Sequence, residues 1–335
     1  MTHEFKKIIA AYKEQHTMGV TCVLASVVGL EGSSYRRPGV RMLLAANGKI
    51  VGAVSGGCVE KEIAVQAVSV FKTGIPKVIT YDGRYRLGCE GILQILIEPF
   101  APTEEGLHKI EAVLRSRDYL EIHSYYLPEF KENSAFGSTV VLAEEQIPLG
   151  NTLIDPKDLD CFKQKLAPCF RLLIIGGEHD AVKLCEFATL TGWEVTVVVD
   201  PRDAKHISDF PGAIKLIETD AAALEVSIDK QTAVVLMTHS FSKDLSYLIK
   251  LKDCFPAYFG LLGPAKRREN LFAELWEQQP NISEDFMAQI KGPAGLDLGA
   301  ETPEEICLSI LSEILTVIRR KDAKPLLQKK DRIHL

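Results

Sequence analysis

The chain has 335 residues, of which 46% are hydrophobic and 25% charged. That is enough for two domains with full cores and too apolar for a disordered or fibrous chain. The formal net charge of −6 offers no electrostatic footprint for broad nucleic-acid binding, and no segment reaches the roughly 18 uninterrupted apolar residues of a membrane-spanning helix.

The first residues, MTHEFKKIIAAYKEQH, are charged and lack the apolar stretch and cleavage site of an export signal, so a cytoplasmic protein is expected. The segment HEFKKIIAAYKEQH reads as a helix, and TCVLASVVG as a strand. After the turn-rich LEGSSYRRPG comes VRMLLAANGKIVGAVSG, a predicted hairpin whose Asn47-Gly48 pair is the strongest short-range hairpin signal. VSGGCVEKE, residues 54–62, then opens a second helix, with Val59, Ile63, Ala64, Ala67, Val68 and Phe71 at near-helical spacing. Strands PKVITYD and ILQILIEPF, a helix around Leu107–Tyr119, and strands EIHSYYL and STVVLAE complete a mixed α+β domain over residues 1–150.

Residues 151–168 carry turn formers without a sustained pattern and read as a linker. Beyond them RLLIIGG, EVTVVVD, AIKLIE, TAVVLMTH and YFGLLG alternate with helical stretches. This predicts a parallel sheet covered on both faces, a Rossmann-like domain over residues 169–321, with a tail at 322–335. Its last helix is well signalled: Thr302 can cap it, Pro303 suits its first position, and Glu305 completes a capping box. The expected fold class is α/β, with an N-terminal mixed α+β domain and a C-terminal Rossmann-like one.

Of the eight cysteines none forms a C-x-x-C pair, so neither a disulfide framework nor a zinc site is expected. Cys58 stands apart because it follows Gly56-Gly57 at a helix start, where unpaired amides and the helix dipole favour an anion or a thiolate. Packing accounts equally for a small buried thiol. Cys89, in LGCEG, is a second glycine-flanked thiol. Ser33, Ser34, Arg36, Arg37 and Arg41 offer hydroxyls and guanidinium forks of the kind that hold phosphate-like anions. No histidine lies near Cys58 in sequence to make a cysteine–histidine nucleophile pair.

In the second half GGEHDA follows a strand and opens a helix, and Asp200 ends the next strand about 20 residues on, the spacing of a dinucleotide fingerprint. Gly176 and Gly177 form the turn. However, Glu178 occupies the position where a glycine lets backbone approach a pyrophosphate, which weighs against NAD(P). His179, Asp180, His239, Lys266 and Arg267 fall in the loops after the strands, where such folds bind ligands. No dehydrogenase-type catalytic pair stands out.

Taken in order, GSSYRRPGVRMLL, VSGGCVE, YDGRYRLGCEGILQILIEP, GGEHDA, GWEVTVVVDPR, MTHSFSKDL, GLLGPAKRR and GPAGLDLGAETPEEI resemble the XdhC/CoxI family over nearly the whole chain. The resemblance implies an accessory factor that binds molybdenum cofactor, assists its sulfuration by a cysteine desulfurase, and hands it to xanthine dehydrogenase or a related molybdenum hydroxylase. It implies a non-catalytic role, and a homodimer is expected. Cys58, then Cys89, are the candidate thiols toward molybdenum or sulfur, and Arg36, Arg37 and Arg41 the candidate anion contacts. The chain departs from the family at Glu178, and at Tyr35, where relatives often carry proline. The alternative reading is an NAD(P)-dependent oxidoreductase using the second domain.

Overall fold

The structure, a computed structural model, describes the chain except residues 33, 35, 84–90, 129–131, 143–144, 152 and 329–335. It divides into two compact units, Met1–Pro168 and Cys169–Gln328.

The N-terminal unit begins with α1 (Thr2–Thr17), β1 (Cys22–Glu31), β2 (Arg41–Ala45), β3 (Ile50–Gly52) and α2 (Cys58–Thr73). It continues with β4 (Lys77–Asp82), β5 (Ile92–Pro99), α3 (Glu104–Ser116), β6 (Leu120–Tyr126), β7 (Gly137–Leu142), β8 (Glu145–Pro148) and β9 (Asp160–Leu166). Two antiparallel sheets result, ordered β3-β2-β1-β5-β4 and β8-β7-β6-β9. β1 is central and buried on both faces, so it reads as a continuous apolar run rather than an alternation. On one face Val23, Ala25 and Val27 pack with Val59, Ile63, Ala67 and Val70 of α2. On the other, Leu24 and Leu43 join Phe5, Ile8 and Tyr12 of α1 and Leu107 and Ile110 of α3. The β2–β3 hairpin turns at Asn47-Gly48, where Gly48 takes φ +87°.

Part of the predicted linker is structural. Residues 160–166 form β9, the edge strand paired to β6, which buries Gln164 and Leu166 and exposes Lys163 and Lys165. The outward lysines are what an edge strand carries against further pairing, and they hid the strand among the turn residues preceding it.

The C-terminal unit contains β10 (Arg171–Ile175), α4 (His179–Leu190), β11 (Glu194–Val199), β12 (Lys215–Glu218), β13 (Thr232–Leu236) and α5 (Phe241–Lys250). β14 (Tyr258–Leu261), α6 (Ala265–Gln278), α7 (Glu284–Gln289), β15 (Ile290–Lys291) and α8 (Pro303–Arg319) follow. All six strands are parallel, in the order β12-β11-β10-β13-β14-β15. That is the doubly wound Rossmann arrangement, with its switch point between β10 and β13. α4 and α8 cover one face, and α5 and α6 the other. At the start of α8 the Thr302 hydroxyl accepts from Glu305 N–H while the Glu305 carboxylate accepts from Thr302 N–H, as expected from the sequence.

Candidate functional site

In the N-terminal unit Cys58 is the first residue of α2 and is exposed, whereas Cys22, Cys169, Cys185 and Cys307 are buried. Burial pushes the Cys22 and Cys185 thiols up to about 11 and the Cys307 thiol up to about 12, so these three stay protonated and inert at neutral pH. Cys58 and Cys161 are the exposed thiols among the described residues, and Cys58 is the one at the glycine turn. The amides of the turn leading into α2 are engaged by the protein's own carboxylate. Glu60 Oε1 accepts from Ser55 N–H at 2.6 Å and Val54 N–H at 3.0 Å, and Oε2 from Gly57 N–H at 2.7 Å. Glu60 is the third residue of the helix, the position from which a carboxylate folds back to cap its own N-terminus. An anion seeking the Val54, Ser55 and Gly57 amides would have to displace it.

The arginines separate. Arg36 donates to Glu4 Oε1 and to Ala53 O, each at 2.5 Å, and so ties α1 to the segment before α2. Arg37 is exposed, and Ser34 is partly buried beside it in sequence. Arg41 belongs to the interior, not to the loop. Gly39 N–H donates to Val27 O, and Val27 N–H to Val40 O, so the chain is already paired to β1 when it reaches Arg41. Its Nη1 donates to Gly39 O at 2.9 Å and to Gln164 Oε1, while Nε and Nη2 have no hydrogen-bond partner among the described residues. Ser33 and Cys89 lie outside the described residues.

In the C-terminal unit the glycine turn serves the protein's own packing. Gly176 has φ +141°, and a Cβ there would stand 2.3 Å from Met237 O; one on Gly177 would stand 2.9 Å from Val199 Cγ1. Glu178 caps α4 without a side-chain capping bond. Asp200, buried at the end of β11, is engaged by a neighbour. Arg202 donates to it from Nε at 2.8 Å, Nη2 at 2.7 Å and its backbone N–H at 3.0 Å, and Lys243 Nζ lies at 3.2 Å. These donors, Arg202 first, hold its carboxyl far below the usual range. A carboxylate so occupied is not free to receive ribose hydroxyls. It borders an open crevice of about 570 Å³ also lined by Arg202, Asp220, Lys243 and Tyr247.

On the other side of the switch point the fold makes the pair that sequence spacing did not reveal. His239 Nε2 lies 2.7 Å from Asp180 Oδ2, joining the loop after β13 to the first turn of α4 across 59 positions. An ionised carboxylate only accepts, so Nε2 carries the shared proton and Nδ1 is left as the acceptor of the neutral ring. His239 takes φ +58°, a region uncommon for residues other than glycine. Its neighbours hold it there. Thr238 Oγ1–H donates to buried Asp244 at 2.5 Å, and Arg267 Nη2 donates to the other Asp244 oxygen at 2.6 Å. Arg267 is therefore a brace for this loop. Lys266 is exposed and pairs with Glu269, and His179 is exposed at the head of α4. Asp180 and His239 line a second open pocket, of about 540 Å³, together with Gly263-Pro264 and residues of the segment 293–300. Among the described residues no group of three or more His, Cys, Asp or Glu side chains is placed to hold a metal ion, and no helix is long and apolar enough to cross a membrane.

The fold and its loops define a two-unit α/β protein whose second unit is a Rossmann-type domain with polar groups at the switch point. Residues 172–314 match the XdhC Rossmann domain, and residues 16–82 match the XdhC and CoxI family. The chain belongs to the XdhC and CoxI family. It is 29% identical over 321 residues to a Bacillus subtilis protein described as a probable xanthine dehydrogenase subunit, covering 89% of this chain and 93% of that protein. It is 25% identical over 320 residues to the molybdenum cofactor insertion chaperone PaoD of Escherichia coli, covering 95% of this chain and 90% of that one. A crystal structure described as a xanthine dehydrogenase from Bacillus halodurans superposes with a TM-score of 0.77 at 24% identity, over 95% of this chain and 98% of that one. At that identity the likeness establishes the fold alone.

Proposed function

We propose that this protein is an accessory factor that binds molybdenum cofactor and delivers it to xanthine dehydrogenase or a related molybdenum hydroxylase. The observation that carries the reading is the alignment along 95% of the chain with a molybdenum cofactor insertion chaperone. The exposed Cys58 supports it: a soft thiol suits molybdenum or a transferred sulfur better than an oxygen ligand does. Sulfuration of the cargo, with a cysteine desulfurase as partner, belongs to the same reading. An NAD(P)-dependent oxidoreductase is disfavoured by Glu178 at the glycine turn and by the donors already on Asp200.

The test is cofactor retention. The protein and its Cys58→Ala variant are purified from a host that makes molybdenum cofactor, and bound molybdenum and oxidised pterin are quantified. Retention by the wild type, with molybdenum lost from the variant, is expected. If the wild type retains neither, even with a desulfurase and client present, the carrier role is wrong. Equal retention by both proteins would keep the carrier and remove Cys58 from the contact.

A further inference from the structure

The pocket headed by Asp180 and His239 has an unusual chemical bias. Its walls present the carboxylates of Asp180 and Asp297 and the imidazole of His239, and among the described residues no lysine or arginine lines it. A phosphate or carboxylate ligand would therefore meet like charge without a compensating cation. The remaining wall is largely small or apolar, with Leu262, Pro264, Ala294 and Leu296 among it. What such a lining suits is a neutral, flat molecule that contributes N–H donors to acceptors at the rim.

Two of those acceptors are available. Asp180 spends Oδ2 on His239 and Oδ1 on Ala181 N–H at 2.9 Å, so its role is to orient the ring, which leaves Nδ1 as acceptor. Asp297 is exposed at the edge of the pocket, with no hydrogen bond or ion pair among the described residues.

The loop presenting Asp297 is fastened on three sides. Ala294 N–H donates to Leu261 O at 3.0 Å, Gly295 N–H to Glu313 Oε2 at 2.8 Å, and Leu296 O accepts from Ser309 Oγ at 2.5 Å. Gly295, at φ +117°, lies so close to α8 that a Cβ would come within 2.4 Å of Ser309 Oγ. His239 is equally fixed, in its left-handed conformation, by Asp180 and by the Thr238–Asp244 bond. The His239 ring and the backbone that carries Asp297 are thus held before any ligand arrives, which lowers the ordering cost of binding.

We propose that this pocket binds the ring system of a pterin, with the Asp297 carboxylate and His239 Nδ1 accepting from its amino and ring N–H groups. The assignment rests on the carrier reading, because the organic part of molybdenum cofactor is a pterin, and it gives that cargo's heterocycle a site in the Rossmann-type unit. It also accounts for a Rossmann crevice whose dinucleotide half carries Glu178 at its turn and an Asp200 already engaged by Arg202, while its other half is built and braced.

The test uses the full chain purified from a host unable to make molybdenum cofactor. Free pterin, lumazine (the same ring with oxygen in place of the 2-amino group) and NADPH are each titrated by fluorescence and calorimetry. Pterin should bind at least about 10-fold more tightly than lumazine, since one acceptor then loses its donor. Asp297→Asn and His239→Gln should each weaken pterin by about 10-fold or more. Asp297 is exposed in a loop pinned by its neighbours, so that variant is expected to keep the wild-type thermal midpoint. Failure of the wild type to bind pterin, equal affinity in both variants, or saturable NADPH binding with pterin ignored would each overturn the assignment. Molybdenum retention, measured separately, distinguishes the two readings. Retention without pterin recognition removes this pocket and keeps the carrier; pterin recognition lost in both variants, without molybdenum retention, keeps the pocket and removes the carrier.

Discussion

Glu98 is the most exacting residue of the N-terminal unit. It is buried on β5, with Oε2 accepting from Ser138 N–H at 2.7 Å and Oε1 from Ser138 Oγ–H at 2.6 Å, and Ser124 Oγ lies 2.8 Å from that hydroxyl. Burial raises its pKa to about 7; the Ser138 bonds and the Arg41 charge pull it back only in part. Below the unfolded-state value near 4.5 the group is protonated in both states and costs the fold nothing. As pH rises through 7 the native state must hold a buried carboxylate, so stability is lost across that window, on the order of 3 kcal/mol at most. The wild-type thermal midpoint should therefore fall between pH 5 and pH 8 more steeply than that of Glu98→Gln. Parallel profiles for the two proteins would show that Glu98 does not titrate there.

At the scale of elements, the strand–turn–helix from β10 to α4 determines how closely β13 can approach. Gly176 meets Met237 O at a distance no Cβ tolerates and adopts a φ that disfavours other residues. Gly176→Ala should cost about 2–4 kcal/mol through combined clash and backbone strain, measured as a lower urea midpoint with an unchanged slope. A midpoint within experimental error of the wild type would mean the turn relaxes freely. The same turn positions Asp180, so the variant should also weaken whatever the Asp180–His239 pocket binds.

For the molecule as a whole, each unit has its own sheets and its own buried clusters, and no strand is shared between them. Units built in this way can fold alone. A fragment of residues 169–335 is expected to unfold cooperatively, and the full chain to show two transitions by scanning calorimetry. A single calorimetric transition, together with an unfolded fragment, would make folding of the second unit depend on the first.

The sequence by itself determined what repeats over short distances. The apolar runs β10 to β14, the Asn47-Gly48 hairpin, the start of α2 at Cys58 and the capping box at Thr302 are each encoded within a few neighbouring residues, where backbone preference and side-chain period act directly. The succession of motifs likewise made the family legible. Even the capping of Gly57 N–H by Glu60 was within reach, since the carboxylate sits three residues beyond Gly57. Tertiary structure decided the rest, because those features join parts of the chain that carry no local mark of one another. β9 exists only because β6 offers it an edge, and Arg41 turned from a loop cation into an interior one because its strand pairs with β1. The Asp180–His239 bond spans 59 positions, and only the crossover of a doubly wound sheet, which sets the loop after β13 beside the head of α4, brings the two side chains together.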